Sequence, residues 1–237
     1  MSKTILSLFD YSGTWPKPFA EAGYNVHSLD LKRGDNILDF KTQDDWLQRF
    51  PKVSGVLAAP PCTDFTNSGA QYWSAKDADG RTEASLELVR QALRCVELYQ
   101  PDFWVVENPV GRLPKLLPRL GKAYYFDPCD FAGYLSFAQS EENEIERLRR
   151  KDGKGFCIEE AEFVMRTNLY NKKTGLWGVF NRDVKKKRME PIRCNSQGSP
   201  LQTFGGKSDK TKEARSNTPL GFAQAFFEAN HGWVPGS

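Results

Sequence analysis

The first 130 residues switch repeatedly between two hydrophobic periods. Thr4 to Phe9 is a short, nearly continuous apolar run, the pattern of a buried strand. A turn-rich piece follows, Asp10-Tyr11-Ser12-Gly13-Thr14-Trp15, and then a short helical stretch over 18–22 that Gly23 closes. Asn25 to Leu31 predicts a second strand, with Asp30 at its end. Gln43 to Phe50 reads as helical. Val53 to Ala59 predicts a third strand, which runs into Pro60-Pro61-Cys62. Between Glu83 and Tyr99, apolar residues at 86, 89, 93 and 96 keep a helical spacing. Phe103 to Val106 is a strand ending at Glu107-Asn108-Pro109, and Lys122 to Phe126 predicts another. Strand alternating with helix predicts an α/β fold of Rossmann-like type, a mostly parallel sheet with helices on both faces. Ligands of such sheets sit beyond the carboxyl ends of the strands. The unusual residues fall there: Asp10 to Gly13, Asp30, Pro60 to Cys62, and Glu107 to Pro109.

The pattern then changes. Glu141 to Lys154 is densely charged and predicts an exposed helix or insertion over about 139–155. Residues 174–180 predict a further strand, and 181–216 look irregular. Pro219 opens a final amphipathic helix, Leu220 to Asn230, with Phe222, Ala223, Phe226 and Phe227 as its buried face.

Composition narrows the function classes. The chain has 237 residues, 39% hydrophobic, 27% charged and 13% aromatic, which fits one sizeable globular domain with a small appendage. No apolar run approaches the roughly 20 residues of a membrane span, and the N-terminal run is too short for a signal peptide, so a cytoplasmic location is expected. Five widely spaced cysteines, none at CxxC spacing, argue against a disulfide framework and a structural zinc site, and no metal is expected. With only two histidines, His27 in an apolar run and His231 near the end, the chemistry must come from Cys, Asp, Glu, Lys, Arg or a bound cofactor. Net charge is only +3, but ten Lys or Arg against four Asp or Glu lie between Arg182 and Arg215. That segment is either a solvated loop or a polyanion contact.

Two strand-end groups carry the candidate chemistry. Cys62 follows two prolines that stiffen the chain, a suitable mount for a nucleophile, although a lone cysteine is more often inert packing. Glu107 ends the next strand and would stand beside Cys62 if the two strands are neighbours; otherwise it is a cap or a surface acid. Together they suggest covalent catalysis with acid assistance.

The order Phe-x-x-x-Gly, strand-end Asp, Pro-Pro-Cys, Glu-Asn-Pro and a late Asn-x-Pro before an amphipathic helix resembles the C5-cytosine DNA methyltransferases, and is similar to short phage or prophage members. The resemblance covers most of the chain and is strongest over 5–30, 56–66, 103–111 and 215–230. It implies a fold of the S-adenosylmethionine-dependent methyltransferase type, with S-adenosylmethionine or a modified analogue as donor and double- or single-stranded DNA as partner. No membrane and no obligatory protein partner are implied, and the setting would be the cytoplasm of a bacterial or phage-infected cell. By the same resemblance Cys62 attacks C6 of a flipped cytosine, Glu107 acts at N3 so that C5 accepts the methyl group, and Lys173 replaces the cytosine-contacting arginine. Phe9, Asp10, Ser12, Gly13, Asp30, Asp39, Pro60 and Asn217 are implied around the donor. Pro61, Asn108, Lys185, Lys186, Lys187, Arg188, Lys207 and Arg215 are implied against the nucleic acid.

The sequence also departs from the family. Tyr11 and Thr14 stand where glycine is usual, Thr63-Asp64-Phe65-Thr66 follows the cysteine in place of the usual Gln, and the Gln-x-Arg-x-Arg segment is not legible. The expected organisation is a catalytic domain over 1–178, a small basic recognition region over 179–216, and a C-terminal helix over 217–237 that returns to the catalytic domain. So small a recognition region predicts short or relaxed sequence specificity. Other readings stay open: C5 modification of RNA or of a free cytosine nucleotide, transfer of a non-methyl group, and, from another class, an inactive nucleic-acid-binding protein.

Overall fold

The computed structural model describes residues 2–151, 156–193, 200 and 216–236. Its strands are β1 (Thr4–Leu8), β2 (Asn25–Leu29), β3 (Gly55–Ala58), β4 (Phe103–Pro109), β5 (Tyr124–Phe126) and β6 (Thr174–Val179). They form one sheet in the order β2-β1-β3-β4-β6-β5. The pairs β1–β2, β1–β3 and β3–β4 are parallel, and β6 runs antiparallel to β4. The helices are α1 (Lys17–Glu21), α2 (Gln43–Arg49), α3 (Trp73–Ala78), α4 (Arg81–Tyr99), α5 (Leu113–Leu116), α6 (Gln139–Lys151), α7 (Ile158–Arg166) and α8 (Leu220–Asn230). None of the described helices is long and apolar enough to cross a membrane.

The predicted α/β architecture is present, and the side-chain alternation of the strands shows why helices cover both faces. Ile5, Gly55 and Phe103 lie opposite one another across three parallel strands and so share a face. A Cβ on Gly55 would stand 2.4 Å from the Phe103 ring and 2.8 Å from Ile5, so only glycine fits between them. Phe19 of α1 stacks on Phe103 from that side, with ring centroids 5.6 Å apart. On the other face Leu6, Leu8, Val56, Ala58 and Val106 share a core with Trp46 of α2 and with Leu86, Val89, Ala92 and Leu93 of α4. The predicted periodicity of α4 is therefore its buried stripe.

Several boundaries differ from expectation for local reasons. β2 stops at Leu29, because Asp30 turns the chain by accepting the Lys32 amide at 2.8 Å. β4 continues to Pro109, because β6 pairs Leu176, Gly175 and Thr174 with Glu107, Asn108 and Pro109. α7 was not anticipated: its start is a capping box built on Cys157, whose amide donates to Glu160 at 2.9 Å, and cysteine is not a residue that signals a cap.

The chain forms two compact units. The first comprises Met1–Tyr125, Thr174–Asp183 and Ala229–Ser237, and the second Phe126–Lys173 and Val184–Glu228. The second unit has its own core, in which Ile145 and Leu148 of α6 meet Ala161 and Val164 of α7 and Ile192. The charged stretch expected as an exposed helix thus buries an apolar pair, three residues apart, that the surrounding charges mask. In the same unit Phe126 stacks on Phe222 of α8 at 4.2 Å. Phe222, Ala223 and Phe226 are buried as predicted, while Phe227 is only half-buried.

Candidate active site

The first unit gathers the strand-end residues. Phe9 leaves β1 with φ +62°, and its amide donates to Leu29 O at 2.7 Å, which bends the chain sharply over the sheet edge. Asp10 is buried, and its carboxylate is taken up by the loop itself. Ser7 Oγ donates to Oδ2 at 2.7 Å, while Ser12 Oγ at 3.0 Å and Gly13 N at 2.7 Å donate to Oδ1. Asp10 therefore shapes the 10–13 loop. Gly13 turns it at φ +67°, a conformation that favours glycine. Arg33 Nε donates to Tyr11 O at 2.9 Å, and the Lys32 and Arg33 cations lie 5.1 and 5.8 Å from the Tyr11 ring. Tyr11, where the family has glycine, thus rests against two cations. Asp30 lies half-buried at the end of β2, one oxygen engaged by the Lys32 amide. Asp39 is exposed and accepts Asn36 Nδ2 at 3.3 Å.

β3 and β4 are adjacent parallel strands with Ala58 opposite Val106, so the segment that leads from β3 to Cys62 and the last residues of β4, Glu107 among them, lie at the same end of the sheet. Both are half-buried. Glu107 shares a sheet face with Val105 and, across β6, with Leu176. Asn108 is fully buried and donates from Nδ2 to Pro60 O at 3.1 Å, which pins the proline pair to β4. Pro60 is buried and Pro61 exposed. Beyond them Cys62 O accepts the amides of Phe65 at 3.0 Å and Thr66 at 3.1 Å, a tight turn that holds the cysteine backbone.

Charged residues that the sequence reading passed over lie under this turn. Lys76 of α3 is buried; its Nζ donates to Thr63 O at 2.6 Å and pairs with Asp64 Oδ1 at 3.0 Å. Ser85 Oγ donates to Asp64 Oδ2 at 2.6 Å. Burial works against the Asp64 charge, but Ser85 and Lys76 outweigh it and hold the carboxyl below its ordinary range. Arg112, also buried, donates to Asp64 O at 3.0 Å, Asp77 at 2.9 Å and Thr82 at 2.7 Å, with its guanidinium 4.8 Å over the Trp73 ring. Lys76 carried no local signal, since a lysine on a short helix reads as surface. Arg112, three residues past Pro109, was the legible clue.

The second unit holds the remaining candidates. Lys173 is exposed; burial and the neighbouring Asp130 push the Asp127 carboxyl above its ordinary range, and the Lys173 charge offsets this only in part. Lys185 to Arg188 are exposed, and the side chains of Lys186, Lys187 and Arg188 contact protein groups. Lys186 pairs with the buried Asp130 at 2.8 Å, Arg188 pairs with the same carboxylate, and Lys187 lies 3.9 Å over the Tyr134 ring. Asn217 is exposed before α8. Lys207, Arg215 and Cys194 lie outside the described residues.

The other cysteines are unlike Cys62. Burial pushes the Cys95 thiol up to about 12 and that of Cys129 up to about 11. Cys129 donates to Asn171 Oδ1 at 3.2 Å, and Cys157 caps α7.

No protein-family model matches the chain. Over 139 residues it is 28% identical to a protein of Frog virus 3 (isolate Goorha) described as a probable DNA (cytosine-5)-methyltransferase, a match covering 55% of this chain and 64% of that relative. A solved structure of a putative DNA modification methyltransferase encoded within an E. coli prophage superposes with a TM-score of 0.41 and 13% identity. That likeness covers 81% of this chain and 53% of the other, and it is too loose to carry an argument. By its motifs and by its viral relative, the chain is similar to the C5-cytosine DNA methyltransferases.

Proposed function

We propose that the protein transfers a methyl group to carbon 5 of cytosine in DNA, with Cys62 as the covalent nucleophile. The observation that carries this reading is the junction of β3 and β4, where the half-buried Cys62 follows the end of β3 and the half-buried Glu107 lies in the last residues of β4, the two segments tied together by the Asn108–Pro60 bond. C5 of cytosine is a poor nucleophile until a group adds to C6, which is why such a reaction needs a covalent step. The Cys62 sulfur adds to C6, and Glu107 holds a proton at N3, so that the electron pair gathers at C5. Once C5 is substituted, its proton leaves to a base and the Cys62–C6 bond breaks. The target must be unstacked to reach this site.

S-adenosylmethionine supplies the electrophilic methyl group when bound. The residues at the ends of β1 and β2 fit it. The 10–13 loop is fixed by the bonds that Asp10 accepts from Ser7, Ser12 and Gly13. Asp30 keeps an oxygen for ribose hydroxyls beside the one that the Lys32 amide engages. Phe9 offers a ring just past β1, and Asp39 an exposed carboxylate acceptor.

The test is incubation of the protein with labelled donor and, separately, duplex DNA, single-stranded DNA, RNA or dCMP. Label at C5 of cytosine in DNA is the expected result. Label in RNA or dCMP alone would transfer the reading to those substrates, and no label in any acceptor would end it. DNA carrying 5-fluorocytosine should trap a covalent adduct at Cys62, because fluorine cannot leave as a proton does.

A further inference from the structure

We propose that Lys76 and Arg112 are positioning residues for Cys62: they grip the backbone just after the cysteine from below, and Lys76 cancels the Asp64 charge that would otherwise oppose a thiolate there. The inference rests on reading Cys62 as the nucleophile.

The grip is continuous along the turn. Thr63 O is bound by Lys76 Nζ at 2.6 Å, Asp64 O by Arg112 Nε at 3.0 Å, and Phe65 O by the Arg112 amide at 2.8 Å. Gly111 lets the two segments approach this closely, since a Cβ there would stand 1.9 Å from Phe65 O. Buried cations are costly unless paired. Here each has a carboxylate, Asp64 for Lys76 and Asp77 for Arg112. The two pairs differ in depth. Asp64 is 14% exposed at its side chain and Asp77 51%, so solvent screens the second far more than the first.

Among the described residues, the charged groups around the turn include Asp64 within it, Lys76 and Asp77 on α3, Asp79 just after α3, Arg81 at the start of α4, Arg112 after β4, and Glu107 in the last residues of β4. Asp64 is two residues from the sulfur, and Lys76 is the cation bound to it. A packing role alone would make Lys76 replaceable by any side chain that fills its space. A charge-cancelling role makes its loss and the loss of Asp64 act in opposite directions on the thiol.

The experiment is alkylation of the full-length protein by iodoacetamide, followed at Cys62 by mass spectrometry from about pH 6 to about pH 10, the span over which thiols titrate. The exposed Cys157 is the internal reference, and circular dichroism checks the fold. We expect K76M to shift the Cys62 profile to higher pH and D64N to shift it to lower pH, each by on the order of one pH unit. K76R and the double variant D64N/K76M should stay at the wild-type position, with Cys157 unmoved throughout. If K76M does not fold, D64N is compared with D64E, which disturbs the turn but keeps the charge: a downward shift in D64N alone supports the proposal, and an equal shift in both overturns it, since loosening the turn would expose the sulfur in either variant. Unchanged Cys62 profiles in folded variants, or equal shifts at Cys157, overturn the proposal. Methyl transfer enters none of these readings, so a failure here is separate from a failure of the proposed function, which Cys62→Ala tests.

Discussion

Two Pro-Cys steps follow two strands in this protein, and they come to opposite ends. Pro61-Cys62-Thr63-Asp64-Phe65 follows β3, and Pro128-Cys129-Asp130-Phe131 follows β5. In both the phenylalanine is fully buried, and the penalty of burial on the aspartate is outweighed, by Ser85 and Lys76 in the first and by Lys186, the Asp127 amide and Arg188 in the second, so that each carboxyl is held below its ordinary range. The sulfurs differ. Cys62 is half-buried on a turn gripped from below, whereas Cys129 is fully buried, its thiol pushed up to about 11 and donating to Asn171. Nearly the same local text therefore mounts a candidate nucleophile in one unit and a packing residue in the other. The depth of the sulfur decides between the two, because burial penalises the thiolate and the thiolate is the nucleophile.

The largest test of this contrast is activity. Cys62→Ala should lower methyl transfer by at least about a thousandfold with donor binding retained by calorimetry, whereas Cys129→Ala should keep transfer within about tenfold. Equal losses would remove the distinction. Next comes reactivity at the two sulfurs. At pH 8 burial keeps the Cys129 thiol almost wholly protonated and away from reagent, so the half-buried Cys62 should alkylate at least about tenfold faster than Cys129. Cys129 should catch up only as the pH approaches its own value or the second unit unfolds, and comparable native labelling would show that both sulfurs are accessible.

The aspartates provide smaller effects. Asp64→Ala strands a buried Lys76 and should cost about 3 kcal/mol in urea unfolding. Asp130→Ala strands Lys186 and Arg188, which are 43% and 53% exposed at their side chains, and should cost about 1–2 kcal/mol. Both carboxyls titrate below their unfolded values. Their stabilisation is therefore present above the unfolded carboxylate pKa of about 4 and is lost as pH falls through the folded value. In sufficiently acid solution each variant should approach wild type, and a gap that persists there would point to packing instead of charge. The smallest change should come from Lys187→Met, which removes the cation over Tyr134 and should cost about 0.5 kcal/mol by the same measurement.

Much of the first unit was legible from pattern. The apolar runs of β1 and β3, the stripe of α4 and the strand leading to Glu107 are each local, and burial on a known period writes them into the chain. Less was legible where a residue's partner is remote in sequence. The extension of β4 to Pro109 depends on β6, more than 60 residues later. The buried apolar pair of α6 is hidden among charges. The basic run 185–188 read as free cations, whereas Lys186 and Arg188 reach back to Asp130.

The sequence by itself determined the α/β alternation, the placement of Asp30 and Cys62 just after strands, and the resemblance that the motifs carry, since each is a matter of residue type and short spacing. Only the tertiary structure decided that β3 and β4 are neighbours, that Asn108 ties Pro60 to β4, and that Lys76 and Arg112 lie under the cysteine turn. The reason is physical: periodicity records which side of a segment is buried, whereas ion pairing and the depth of a thiol depend on which distant groups fold against it.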